Sequence, residues 1–194
     1  MKKAILILFI ILCNNPNLLA QKKKIKKSGA TTSALAKAEN VSAEMFNKNL
    51  FAIRANSGVK KDSVMLKTFR ENSKPTAFKI TPFTAKGKKI FLISWSENVV
   101  TTTKLKTEDA LMVFSEIVNF ETKTKVLSNT QTTVNIKEIH FLDAKKTVSE
   151  TLQKVRREGF VLNLNPDGDV ILKNKTQENK LTFNTDKNLF VTKK

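Results

Sequence analysis

Tyrosine is absent, and cysteine, histidine and tryptophan occur once each in 194 residues. A single cysteine makes neither an intramolecular disulfide nor a cysteine-based zinc site. With one histidine, a Ser-His-Asp arrangement has to use His140, and no serine partner can be identified for it. No HExxH pair, Cys-His cluster or phosphate-binding P-loop occurs. Tyr and Trp favour sugar and interaction surfaces, so their scarcity counts against a dedicated sugar-binding face. Arginine is also rare, at 4 residues against 31 lysines. Specific base and phosphate recognition favours the planar guanidinium fork, which argues against a nucleic-acid partner.

A hydrophobic fraction of 40% with 13 Phe is enough for a core. A chain of this size buries roughly two thirds of its unfolded surface without staples. The longest apolar run, Ala4–Cys13, has ten residues, whereas a spanning helix needs about 20.

That run has the layout of a cleaved secretory signal peptide over residues 1–20. Lys2 and Lys3 precede it, Asn14 to Asn17 break it, and Leu18-Leu19-Ala20 places a small residue before Gln21. Two rival readings stay open. Cys13 is a candidate for lipidation, although bulky Ile11 and Leu12 precede it. The lysines after Ala20 resist translocation, which would suit a retained anchor. Cleavage after Ala20 leaves a mature chain without cysteine or a transmembrane segment, destined for the periplasm, the cell envelope or the medium.

The formal net charge is +18. Residues 21–37 contribute six lysines and no acid, whereas residues 97–194 hold 16 basic and 13 acidic groups. The asymmetry points to an anionic partner, lipid or polysaccharide, for the N-terminal part. Lys22, Lys23, Lys24, Lys26 and Lys27 are the candidate tether, inside a flexible basic linker over residues 21–40.

The remainder, 41–194, reads as a single α+β domain: mainly antiparallel β-sheet with an N-terminal helix and a second helix before two C-terminal hairpins. Met45, Phe46, Leu50 and Ile53 predict a helix over 41–56. Residues 63–69, 76–83 and 89–96 predict strands. The strand 89–96 is apolar on both faces at its start and belongs inside the fold. A hairpin to 99–106 is expected next. Residues 107–120 fit both periods, and the Thr-rich stretch after them favours a strand. The strand 132–142 changes apolar phase between Ile136 and Ile139, as a bulge would require. Thr147 and Glu150 form a capping box for a helix over 147–158, ended by Gly159. Two hairpins follow, around 165–168 and 186–188.

Candidate chemistry is sparse, and no cofactor or metal is indicated. Asp167-Gly168-Asp169 resembles a fragment of a calcium loop, but Val-Ile-Leu-Lys follows with no further ligand, so it reads as a hairpin turn. A carboxylate pair such as Glu116 with Glu138 would serve a hydrolase if the two met across a cleft. The expectation is a small exported, non-catalytic protein acting by binding or structural contact, with a carboxylate-based hydrolase as the alternative.

Overall fold

The computed structural model describes residues 34–56, 61–71 and 73–193. The expected signal peptide and Lys22, Lys23, Lys24, Lys26 and Lys27 lie outside the described residues. All regular elements among the described residues are strands, so the expected α+β class is corrected to all-β. They are β1 (Ala36–Ala38), β2 (Val41–Phe46), β3 (Asn49–Ala55), β4 (Lys61–Thr68), β5 (Thr76–Ala85), β6 (Lys88–Thr102), β7 (Lys106–Asn119), β8 (Thr124–Phe141), β9 (Ser149–Gly159), β10 (Val161–Leu164), β11 (Val170–Lys173), β12 (Glu178–Asn184) and β13 (Leu189–Thr192). They form three antiparallel meanders: a first sheet β1–β4, a central sheet β5–β9 and a C-terminal sheet β10–β13.

Both expected helices are strands. Residues 41–56 make the β2–β3 hairpin. Met45 stands opposite Leu50 and Ala43 opposite Ala52, while Phe46 turns to the other face against Phe51. The Asn47-Lys48 loop has φ of 46° and 65°, the two-residue turn that matches strand twist and that no helix tolerates. Residues 147–158 lie almost wholly in β9. Thr147 caps nothing: its N–H and hydroxyl donate to Asp143, at 2.8 and 2.7 Å, and Val148 N–H donates there too at 2.9 Å. Val148 and Val155 of the expected apolar stripe stay exposed, so no buried face holds a helix. The uninterrupted ladder to β8 decides instead, a non-local pairing overriding local propensity.

Three smaller expectations also change. Ala36–Ala38, inside the expected linker, forms β1, and Leu35 N–H donates to Ala43 O at 2.8 Å. β6 runs unbroken through residues 97–99, and its turn to β7 falls at 103–105. No bulge separates Ile136 from Ile139, because the two side chains occupy opposite faces of a regular strand; the register shift lies at Ile117/Val118. Residues 107–120 do form a strand, and both C-terminal hairpins are present.

The near half of the central sheet is buried on both faces. Phe91, Ile93 and Trp95 pack against Val41, Ala43, Ala52 and Val64 of the first sheet. Ile90, Ile117 and Val126 pack against Val170, Leu181 and Phe183 of the C-terminal sheet. This three-layer stack explains why 89–96 is apolar on alternate residues of both sets. The far half continues outward as a four-stranded arm: 97–102, 106–113, 131–141 and 149–159. β8 has 18 residues, roughly 60 Å at the usual strand rise. Most exposed large apolar side chains sit on this arm or its loops, including Val100, Leu111, Ile139 and Val155.

Candidate binding groove at the base of the arm

Gly159 is where the chain leaves the central sheet for the C-terminal one. Its φ is +75°, and a Cβ there would meet Thr130 O at 2.2 Å. Only glycine fits such a conformation and approach. Asn129 Nδ2 donates to Phe160 O at 2.9 Å and holds the exit. β10 then starts a new sheet instead of pairing with β9, and a groove of roughly 720 Å³ opens between them. Val155, Arg157 and Gln131 line it from the arm, and Val161, Asn163 and Lys173 from the C-terminal sheet. The loop 174–176 also lines it. Asn174 Oδ1 accepts the N–H groups of Thr176 and Gln177 at 2.9 and 2.8 Å, which fixes that loop.

The groove is basic. Lys173 shares its charge with Glu178 at 2.9 Å, and this lysine holds the Glu178 carboxyl below its ordinary range. Glu158, also at the groove, is paired with Arg156 at 2.8 Å. Arg157 and Lys175 have no carboxylate partner among the described residues. Two uncompensated cations beside Val155 and Val161 form a surface for an anionic group carried on an apolar body.

The acidic candidates are placed elsewhere. Glu116 stands opposite Ser128 and Glu138 opposite Lys106 on the same pair of strands. That is ten residues along the ladder, about 33 Å, so the two carboxylates do not meet. Glu116 is buried against the first sheet, where it accepts from Ser128 and lies 3.6 Å from Lys125. Burial pushes its carboxyl up, against the opposing hydrogen bond and lysine. Glu97 is buried four residues farther along the β6–β7 ladder, bonded to Lys67 and to Trp95 Nε1 at 3.2 Å. Lys67 also lies 3.4 Å above the Phe114 ring, which stacks on Trp95 at 5.2 Å. These groups fasten β4 to the root of the arm and line neither the groove nor the smaller hollow beside β1–β3.

Asp62 is a third fastening. It takes hydrogen bonds from Lys123, Asn56 and Arg54, which hold its carboxyl far below the usual carboxylate range. His140 lies exposed near the arm's tip, 3.9 Å from Glu150. Asp167-Gly168-Asp169 is the expected turn: Gly168 has φ +84° and approaches Thr84 O too closely for any Cβ, and Asp169 is spent on Lys193 at 2.9 Å. Among the described residues no cluster of three or more His, Cys, Asp or Glu is placed to hold a metal ion. Comparisons with protein-family models, curated proteins and solved structures find no match.

The sequence had not marked Arg157, Lys173 or Lys175 as a site. Arg157 falls in the last turn of the expected helix, Lys173 ends the Val-Ile-Leu-Lys run, and Lys175 carries no local signal. The one usable signal was that two of the four arginines adjoin just before Gly159.

Proposed function

We propose that this is a small exported, non-catalytic binding protein of the cell envelope or periplasm that takes an anionic amphiphile, of the lipid class, in the groove between β9 and β10–β11. The observation that carries the reading is the pair of uncompensated cations, Arg157 and Lys175, set beside apolar Val155 and Val161. The layout of residues 1–20 supports export. Lys22, Lys23, Lys24, Lys26 and Lys27 add a long-range attraction to anionic surfaces, which decays over about 10 Å at 0.1 M salt.

Co-sedimentation with vesicles tests this. Phosphatidylglycerol vesicles should bind the chain at low salt and phosphatidylcholine vesicles should not. The double substitution Arg157→Ala with Lys175→Ala should weaken binding several-fold with the melting midpoint nearly unchanged, as expected for exposed charges. Equal binding to neutral vesicles, or binding indifferent to both substitutions, overturns the groove as the site. A soluble acidic polysaccharide that competes fully at matched charge would move the ligand from lipid to polysaccharide.

A further inference from the structure

Among the described residues β9 is the outer strand of the central sheet and pairs only with β8. Its eleven residues hold a regular register, from Phe141 opposite Ser149 to Gln131 opposite Gly159. Leu142 N–H donates to Val148 O in the same register. Hydrogen-bonded pairs alternate along an antiparallel ladder, so residues 150, 152, 154, 156 and 158 turn their N–H and C=O toward β8. Residues 149, 151, 153, 155 and 157 turn theirs outward. β5, the opposite edge of the same sheet, is guarded by Pro82 and by a register shift after Thr76, with Ala77 at φ 53°. β9 has neither device.

The charges along β9 select one way to pair it with itself. Centring an antiparallel pair on Gln153 sets Glu150 opposite Arg156 twice, on one face, and Leu152 opposite the aliphatic stem of Lys154. Thr151 then faces Val155 on the other side. All five outward residues of each copy find a partner, giving about ten backbone hydrogen bonds. Moving the centre to Lys154 sets that lysine against itself and Glu150 against Glu158, and like charges directly opposite are destabilising. Moving it to Leu152 keeps Glu150 opposite Lys154 but leaves residue 157 unpaired. The present partners of these side chains are exposed pairs, Arg156 with Glu158, Lys154 with Glu138 and Glu150 with His140, which exchange at little cost.

We infer that two copies of the chain join along β9 in this register, making one continuous sheet with its two-fold axis at Gln153. An axis perpendicular to the sheet keeps both grooves on the same side. Such a pair would engage a single anionic surface at two points and gain by avidity.

Sedimentation velocity on the chain as exported by cells expressing the full sequence tests the inference. A concentration-dependent species of about twice the mass of the exported chain is expected. Gln153→Pro removes an outward N–H and leaves the β8 ladder its bonds. It should raise the dimer dissociation constant about tenfold or more. Glu150→Lys should do likewise, and adding Arg156→Glu should restore association. Circular dichroism checks that each variant keeps its strand signature. A chain that stays monomeric at all concentrations, a dimer indifferent to Gln153→Pro, or a double charge reversal that fails to restore association would overturn the inference.

Discussion

Glu116 and Asp62 show how one residue type is put to opposite uses. Asp62 receives three donors, so its folded-state carboxyl lies well below the ordinary 3.8. Its stabilising contribution is complete above that value and is lost as acid titrates the folded group. Glu116 is displaced the other way from 4.5, chiefly by burial. A raised carboxyl means the folded state holds the proton more tightly than the unfolded chain does. That contribution is complete below 4.5 and disappears as pH rises through the folded value. Glu116→Gln keeps an acceptor for the Ser128 hydroxyl and removes the titration. The melting midpoint of the variant should therefore gain on the parent as pH is raised from 4 to 7, and differential scanning calorimetry reads the difference. A gap that is constant or narrows with pH would show that Lys125 and Ser128 outweigh the burial.

At the scale of elements, turns fix what strand propensity leaves open. Gly159, Gly168 and Gly87 all have positive φ, but only the first two face a backbone carbonyl 2.2 Å from where a Cβ would stand; Gly87 has nothing within 4 Å. Gly87→Ala should cost only the left-handed strain, about 1 kcal/mol. Gly159→Ala has to displace Thr130 as well and should cost about 3 kcal/mol or more. Urea denaturation midpoints order the two. The same contrast measures what was readable beforehand. The strand 89–96 and the two C-terminal hairpins were legible because apolar alternation and turn residues coincide there. The β2–β3 hairpin was not, because Met45, Phe46, Leu50 and Ile53 mimic a helical stripe across an Asn47-Lys48 turn that lacks glycine. β9 was not, because its side chains are nearly all exposed and carry no face signal, while its pairing partner lies in a different stretch of chain. The groove was illegible for a related reason: Gln131, Arg157 and Lys175 share no local motif, and only the departure of β10 at Gly159 brings them together.

For the whole molecule, the deciding feature is that one sheet serves two environments. Its near half is enclosed by Val41, Ala43 and Val64 on one side and by Val170, Leu181 and Phe183 on the other. Among the described residues no second sheet covers its far half, where burial is confined to Glu97, Val134 and Ile136, and β9 is exposed along almost its full length. Opening the near half requires separating both apolar interfaces, which amounts to global unfolding. Opening the arm breaks only its own ladders and frees little apolar surface, so it needs less free energy. Amides of residues 90–95 and 114–118 should therefore exchange with solvent only at the global unfolding rate. Amides of 97–102 and 149–159 should exchange faster, through a partial opening that leaves the stack intact. Trp95 is the only tryptophan and is fully buried at the junction, held between Phe78 and Phe114 with Glu97 on its indole N–H. Its fluorescence reports chiefly the stack in which the ring is buried. The tryptophan transition in denaturant should coincide with the slow amides and lag behind the arm. A common protection for both halves would mean that Lys67, Glu97 and the aromatic stack couple the arm to the body so tightly that they unfold as one unit.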